Sequence, residues 1–137
     1  MICADYIEFR FENVYTECVR KKERGKYTVY LKRKVDTFLR EWKADPARKP
    51  LIIKGSRQVG KTESIRKFAA EEYESVVEIN FVRDEKYKGI TADGYEAAAI
   101  IKNISMIDPS KKFIPHKTLL FFDEITEFPE IATSLKF

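Results

Sequence analysis

Gly55, Gly60, Lys61 and Thr62 stand within GSRQVGKT (residues 55–62), which fits the Walker A pattern GxxxxGK[ST]. Glycines at both ends of such a loop let main-chain N–H groups curl around a polyphosphate without steric bulk. Ser56, Arg57, Gln58 and Val59 then contribute mainly backbone. Lys61 supplies a mobile positive charge for β and γ oxygens, and the Thr62 hydroxyl suits Mg²⁺. A helix opening at Lys61 would offer its unpaired amides and positive dipole end to the same anion.

A second set of chemistry-bearing residues is Asp123 and Glu124, which end the run LLFFDE (119–124) in the manner of a Walker B strand. An aspartate at the C-terminal edge of a buried strand can hold Mg²⁺ through a water ligand. The adjacent glutamate can orient and deprotonate an attacking water. A carboxylate pair of this kind is typical of ATPases, and no NKxD-like guanine reader is present, so ATP is the expected nucleotide. His116, the single histidine, has no partner in sequence and is expected on the surface or packed in a loop. Lys54 and Arg57 flank the loop and are read as solvent-exposed; Trp42, Tyr87 and Tyr95 are read as packing residues.

These residues need strands and helices to position them. LIIK (51–54) reads as a short buried strand, and Ile65, Phe68, Ala69 and Tyr73 then recur on one helical face. VVEINFV (76–82) reads as a second strand. After a polar turn region with Asp93-Gly94, Ala97, Ile100, Ile101, Ile104 and Ile107 line a second helix. KTLLFFDE (117–124) reads as a third buried strand, and a helix is expected to begin near Pro129. Towards the N-terminus, Leu31, Val35, Phe38, Leu39 and Trp42 predict a helix from Tyr30 that ends near Pro46. Ile7, Phe9 and Phe11 alternate as in a strand. Phe11, Val14, Tyr15, Cys18 and Val19 favour a helix over 11–22, with a break at ERGK. Alternating short strands and helices imply an α/β fold with a parallel sheet.

Composition sets the outer limits. The 137 residues suit one domain of ordinary size, 44 % hydrophobic and 35 % charged. The longest apolar runs are far below the roughly 18 residues that span a bilayer, so no membrane partner is expected. No basic, apolar-centred leader opens the chain, and a cytoplasmic location is the default. Cys3 and Cys18 form no CxxC pair and are read as reduced thiols. The net charge of +4 comes from residues 1–50, with thirteen Lys/Arg against eight Asp/Glu. The basic stretches RKKERGK (20–26) and LKRK (31–34) can touch nucleic acid or acidic partners, although a solvated helix face is the favoured reading.

Four segments together carry a family resemblance: YLKRKVDTFLREWKADPARKPLIIKGSRQVGKTESIRKF, YESVVEINF, KTLLFFDEI and FPEIATSLKF. They closely resemble prokaryotic AAA-superfamily ATPases with an N-terminal P-loop domain and a C-terminal domain of uncharacterised function, over residues 30–137. The resemblance implies a three-layer P-loop NTPase fold that binds ATP and Mg²⁺ and hydrolyses ATP to ADP and phosphate. Lys61 and Thr62 would be the nucleotide and Mg²⁺ residues, Asp123 the magnesium aspartate and Glu124 the water-activating acid. Thr126 stands where a glutamine is expected after DEI, and residues 1–29 are unlike the family's start. A sheet order of 5-1-4-3-2 is implied, with strands 1 to 3 present and strands 4 and 5 absent, so the chain is expected to be a fragment. A gap beside the P-loop strand, or its direct pairing with the LLFFDE strand, would then leave a marginal or rearranged fold with weak or absent hydrolysis. A non-catalytic nucleotide-binding or interaction module, with protein partners, self-association or nucleic acid contact, is the alternative.

Overall fold

The computed structural model describes the backbone of residues 7–10, 15–23, 26–56 and 58–135, and the side chains of 33–56 and 58–135. Arg57, the Cys3 and Cys18 thiols and the side chains of the basic stretch 20–26 lie outside the described residues.

Three strands open the chain: β1 (Ile7–Arg10), β2 (Tyr15–Glu23) and β3 (Lys26–Arg33). β2 and β3 pair antiparallel, with Cys18 opposite Leu31 and Glu23 opposite Lys26. Residues 15–22 of the helix expected over 11–22 are thus strand, 11–14 lying outside the described residues, and the basic N-terminal stretch falls in an antiparallel strand pair. The run Tyr27, Thr28, Val29, Tyr30 explains the outcome. Aromatic and β-branched residues fit a pleated pairing, which outweighs a short repeat at three and four.

The next helix, α1 (Lys34–Ala44), starts four residues after the expected Tyr30, because β3 keeps its ladder through Arg33. Its start is closed by Asp36, whose carboxylate accepts the Arg33 N–H at 2.8 Å. Val35 and Leu39 are buried on one face, and the helix stops just before Pro46.

Residues 51–54 form β4 (Leu51–Lys54), followed by α2 (Lys61–Glu72). β4 pairs with β1, while β5 (Ser75–Asn80) pairs with β6 (Thr118–Asp123). The expected direct pairing of the P-loop strand with β6 does not occur: the two strands belong to separate two-stranded sheets. The main-chain groups of β4 find their ladder in β1 instead, as paired backbone polar groups require. β4 and β6 are half-buried rather than fully buried.

β5 and β6 run parallel, in register from Ser75 opposite Thr118 to Asn80 opposite Asp123. A parallel pair needs a long crossover, and α3 (Ala97–Ile107) supplies it. Ile100 and Ile104 of α3 pack with Val77, Ile79, Phe81, Tyr87, Ile90, Phe128 and Ile131. The polar stretch after β5 holds a 3-10 turn, Glu85–Gly89, that delivers Tyr87 and Ile90 into this core. β5 stops at Asn80, two residues before the expected Val82, which is exposed. A short α4 (Ile131–Ser134) follows Pro129.

The chain divides into two compact units. One comprises Met1–Ile7, Lys49–Ile52 and Ala69–Phe137, and holds the β5–β6–α3 core. The other comprises Glu8–Arg48 and Ile53–Phe68, where the Trp42 and Phe68 rings meet edge-on at 6.4 Å. Among the described residues no helix is long and apolar enough to cross a membrane.

Candidate functional site

Strand β4 runs into the glycine-bounded loop, and the loop into α2. Gly60 has φ 82° and Gln58 φ 61°, two left-handed residues that turn the chain sharply before the helix. The Gly60 carbonyl accepts the Ser64 N–H at 3.1 Å, so Gly60 closes the start of α2. Lys61 and Thr62 therefore occupy the first turn, where N–H groups have no partner within the helix. The positive φ favours glycine at position 60, and a Cβ there would also displace the tip of the Arg33 side chain, which lies 2.5 Å away at Nη1.

Lys61 curls back over the loop. Its ammonium donates to the Gly55 carbonyl at 2.7 Å and the Ser56 carbonyl at 2.6 Å. Gly55, Ser56 and Gln58 are exposed, and Val59, Lys61 and Thr62 half-buried. From the far side Arg33 Nη1 donates to the Gly60 carbonyl and to Ser64 Oγ, both at 2.9 Å.

The two acids sit at the end of the parallel ladder. Asp123 is the last residue of β6 and lies opposite Asn80, the last of β5. Asn80 Nδ2 donates to Asp123 Oδ2 at 3.2 Å. Its Oδ1 accepts the main-chain N–H groups of Val82 at 3.0 Å and Arg83 at 3.1 Å. Both acceptor positions of that amide oxygen are filled, so the face turned to Asp123 must be the donor. The other Asp123 oxygen, Oδ1, accepts the Glu124 N–H at 3.1 Å. Glu124 is exposed and has φ 55°, ψ 45°, a left-handed conformation uncommon for a side-chain-bearing residue. Thr126 is exposed in the 3-10 turn Ile125–Glu127 that follows.

Sequence reasoning missed Asn80 and Arg33. A signal for Asn80 existed: a polar residue at the C-terminal end of an apolar strand lies on the edge where α/β sheets bind ligands. Arg33 had none, because its partners lie 27 and 31 residues away. His116 is exposed, with φ 62°. Tyr87 is buried in the core and donates to Asp108 Oδ2 at 3.3 Å. Burial first, then the Asp108 charge and hydrogen bond, push its pKa up to about 12. The Ser110 hydroxyl and N–H hold Asp108 below its usual value.

A loop with glycine at both ends and a lysine ammonium resting on neutral carbonyls has the chemistry to exchange those carbonyls for an anion. The Thr62 hydroxyl in one unit and the Asp123 carboxylate in the other are each a hard oxygen donor of the kind Mg²⁺ accepts.

With a parallel pair, a crossover helix and a glycine-bounded loop between strand and helix, the chain is a mixed α/β protein of the P-loop NTPase class. Residues 47–137, well over half of the chain, match the family model described as AAA domain, and the chain belongs to that family. AAA domains are nucleotide-binding and ATPase-like, and generally take ATP with Mg²⁺. No curated protein and no solved structure matches the chain.

Proposed function

We propose that this protein binds ATP with Mg²⁺ and hydrolyses it to ADP and phosphate. The observation that carries the reading is the loop itself: Gly60 in a left-handed turn, α2 opening on Lys61, and the Lys61 ammonium drawn over Gly55 and Ser56.

Main-chain N–H groups of the loop and of the first turn of α2 would surround the phosphates, with Lys61 exchanging its carbonyls for the β and γ oxygens. The Thr62 hydroxyl at the loop and the Asp123 carboxylate at the end of β6 would each be able to hold Mg²⁺. Bound Mg²⁺ supplies neutralisation of the charge that develops on the phosphate oxygens. Asn80 keeps the Asp123 carboxylate in one orientation. Glu124, exposed to water beside it, orients the attacking water and takes its proton.

Titration of a fluorescent ATP analogue with Mg²⁺ into wild type and Lys61→Ala tests the binding half. Lys61→Ala is expected to weaken binding about tenfold or more, which corresponds to about 1.4 kcal/mol. Equal affinity in both proteins would remove the assignment of the loop. Phosphate release tests the catalytic half. Glu124→Gln should bind normally and lose roughly 10²-fold or more in rate. A wild type that binds but releases no phosphate would favour a non-catalytic nucleotide module.

A further inference from the structure

We propose that Arg33, which lies before the family-matched residues 47–137, is a positioning residue of the phosphate loop. It fixes the first turn of α2, whose amides are the proposed phosphate donors. The inference rests on the nucleotide-binding reading above and adds to it a residue from the antiparallel strand pair that precedes the matched domain.

Arg33 is held at its own end. It is the last residue of β3, and its N–H is bonded to Asp36 Oδ2 at the start of α1. A strand and a helix therefore meet at its Cα, and the side chain leaves from a fixed point. At the far end Nη1 bridges the Gly60 carbonyl and Ser64 Oγ, the two ends of the first turn of α2. Ser64 is only 1 % exposed, so this bond lies out of water.

The peptide that Arg33 grips is the functional one. In a trans peptide the C=O of one residue and the N–H of the next point in opposite directions. Holding the Gly60 carbonyl therefore aims the Lys61 N–H out of the helix start, the direction from which an anion is bound. Lys61 and Thr62 stay in register with that amide.

Both bonds come from one nitrogen, Nη1, which spans the Gly60 carbonyl and the Ser64 hydroxyl. A lysine in its place keeps the charge but not the planar guanidinium, so it holds the two acceptors less rigidly.

The test uses the full chain and Arg33→Met, Arg33→Lys, Ser64→Ala and the Arg33→Met/Ser64→Ala pair. Affinity for the fluorescent ATP analogue with Mg²⁺, the split of kcat and KM, and the melting temperature without nucleotide are read together. Arg33→Met should weaken affinity about tenfold or more, with KM raised more than kcat falls. Arg33→Lys should recover part of the loss through its charge. Ser64→Ala should cost a few-fold, and the pair should lose little more than Arg33→Met alone. Wild-type affinity in Arg33→Met, measured below its melting temperature, overturns the inference and leaves the nucleotide site standing. If Arg33→Met does not fold, wild-type affinity in both Arg33→Lys and Ser64→Ala overturns it equally. A wild type that binds no nucleotide overturns both the site and this role.

Discussion

Glu124 holds φ 55° and ψ 45° with a full side chain, at the residue proposed to activate water. For an L-residue this conformation costs roughly 1–2 kcal/mol. The backbone turn keeps Glu124 exposed while its N–H stays on Asp123. Glycine would relieve the strain but brings its own entropic cost of about 0.5–1 kcal/mol. Glu124→Gly should therefore be as stable as wild type or more stable by up to about 1 kcal/mol, while phosphate release is lost. A urea midpoint clearly below wild type would show that the side chain, and not the turn, is what the fold requires. The spacing of Gly55, Gly60, Lys61, Thr62, Asp123 and Glu124 was legible in the sequence, since each is a short-range pattern. The left-handed turn at Glu124 was not, because nothing in DEI marks a positive φ.

At the scale of elements, the end of the β5–β6 ladder shows how a site is supported by its neighbours. Asn80 is 9 % exposed and serves two amides and one carboxylate at once. Asn80→Ala would leave the Val82 and Arg83 N–H groups without their acceptor. Both residues are exposed, so water can replace part of the loss. The expected cost is about 1–2 kcal/mol in denaturant unfolding, with slower phosphate release as Asp123 loses a donor. An unchanged unfolding midpoint would mean that water satisfies those amides fully.

Element type was readable where a segment had length and strong periodicity, as in α3 with Ile100 and Ile104 fully buried. It failed in residues 15–33, where the repeat at three and four was short. The decisive term there was pairing with a strand read as the start of a helix. The ladder between β1 and β4 was equally hidden, because pairing across some forty residues leaves no local mark.

For the whole molecule, pH is the informative variable. Tyr87 has its pKa raised from 10.0 to about 12 in the folded chain. Above pH 10 the unfolded tyrosine loses its proton while the folded one keeps it, so stability is complete below pH 10 and falls as pH rises to about 12. Tyr87→Phe should be less stable at neutral pH, through the lost bond to Asp108, and should show a shallower alkaline decline. Urea midpoints at pH 9 and pH 11 measure both; parallel declines would place the alkaline sensitivity elsewhere. Asp108 acts at the acid end with opposite sign. Its depressed pKa contributes stability above its ordinary value of 3.8, lost as pH falls through the folded value.

The Lys61 ammonium donates to two main-chain carbonyls of its own loop. On the proposed function, nucleotide capture at this loop would be an exchange of ligands, in which Gly55 and Ser56 surrender the cation to phosphate. An affinity measured by titration reports the difference between those two sets of bonds. Removing Lys61 erases both sides of that exchange, so its mutant understates how strongly the bound state holds the lysine.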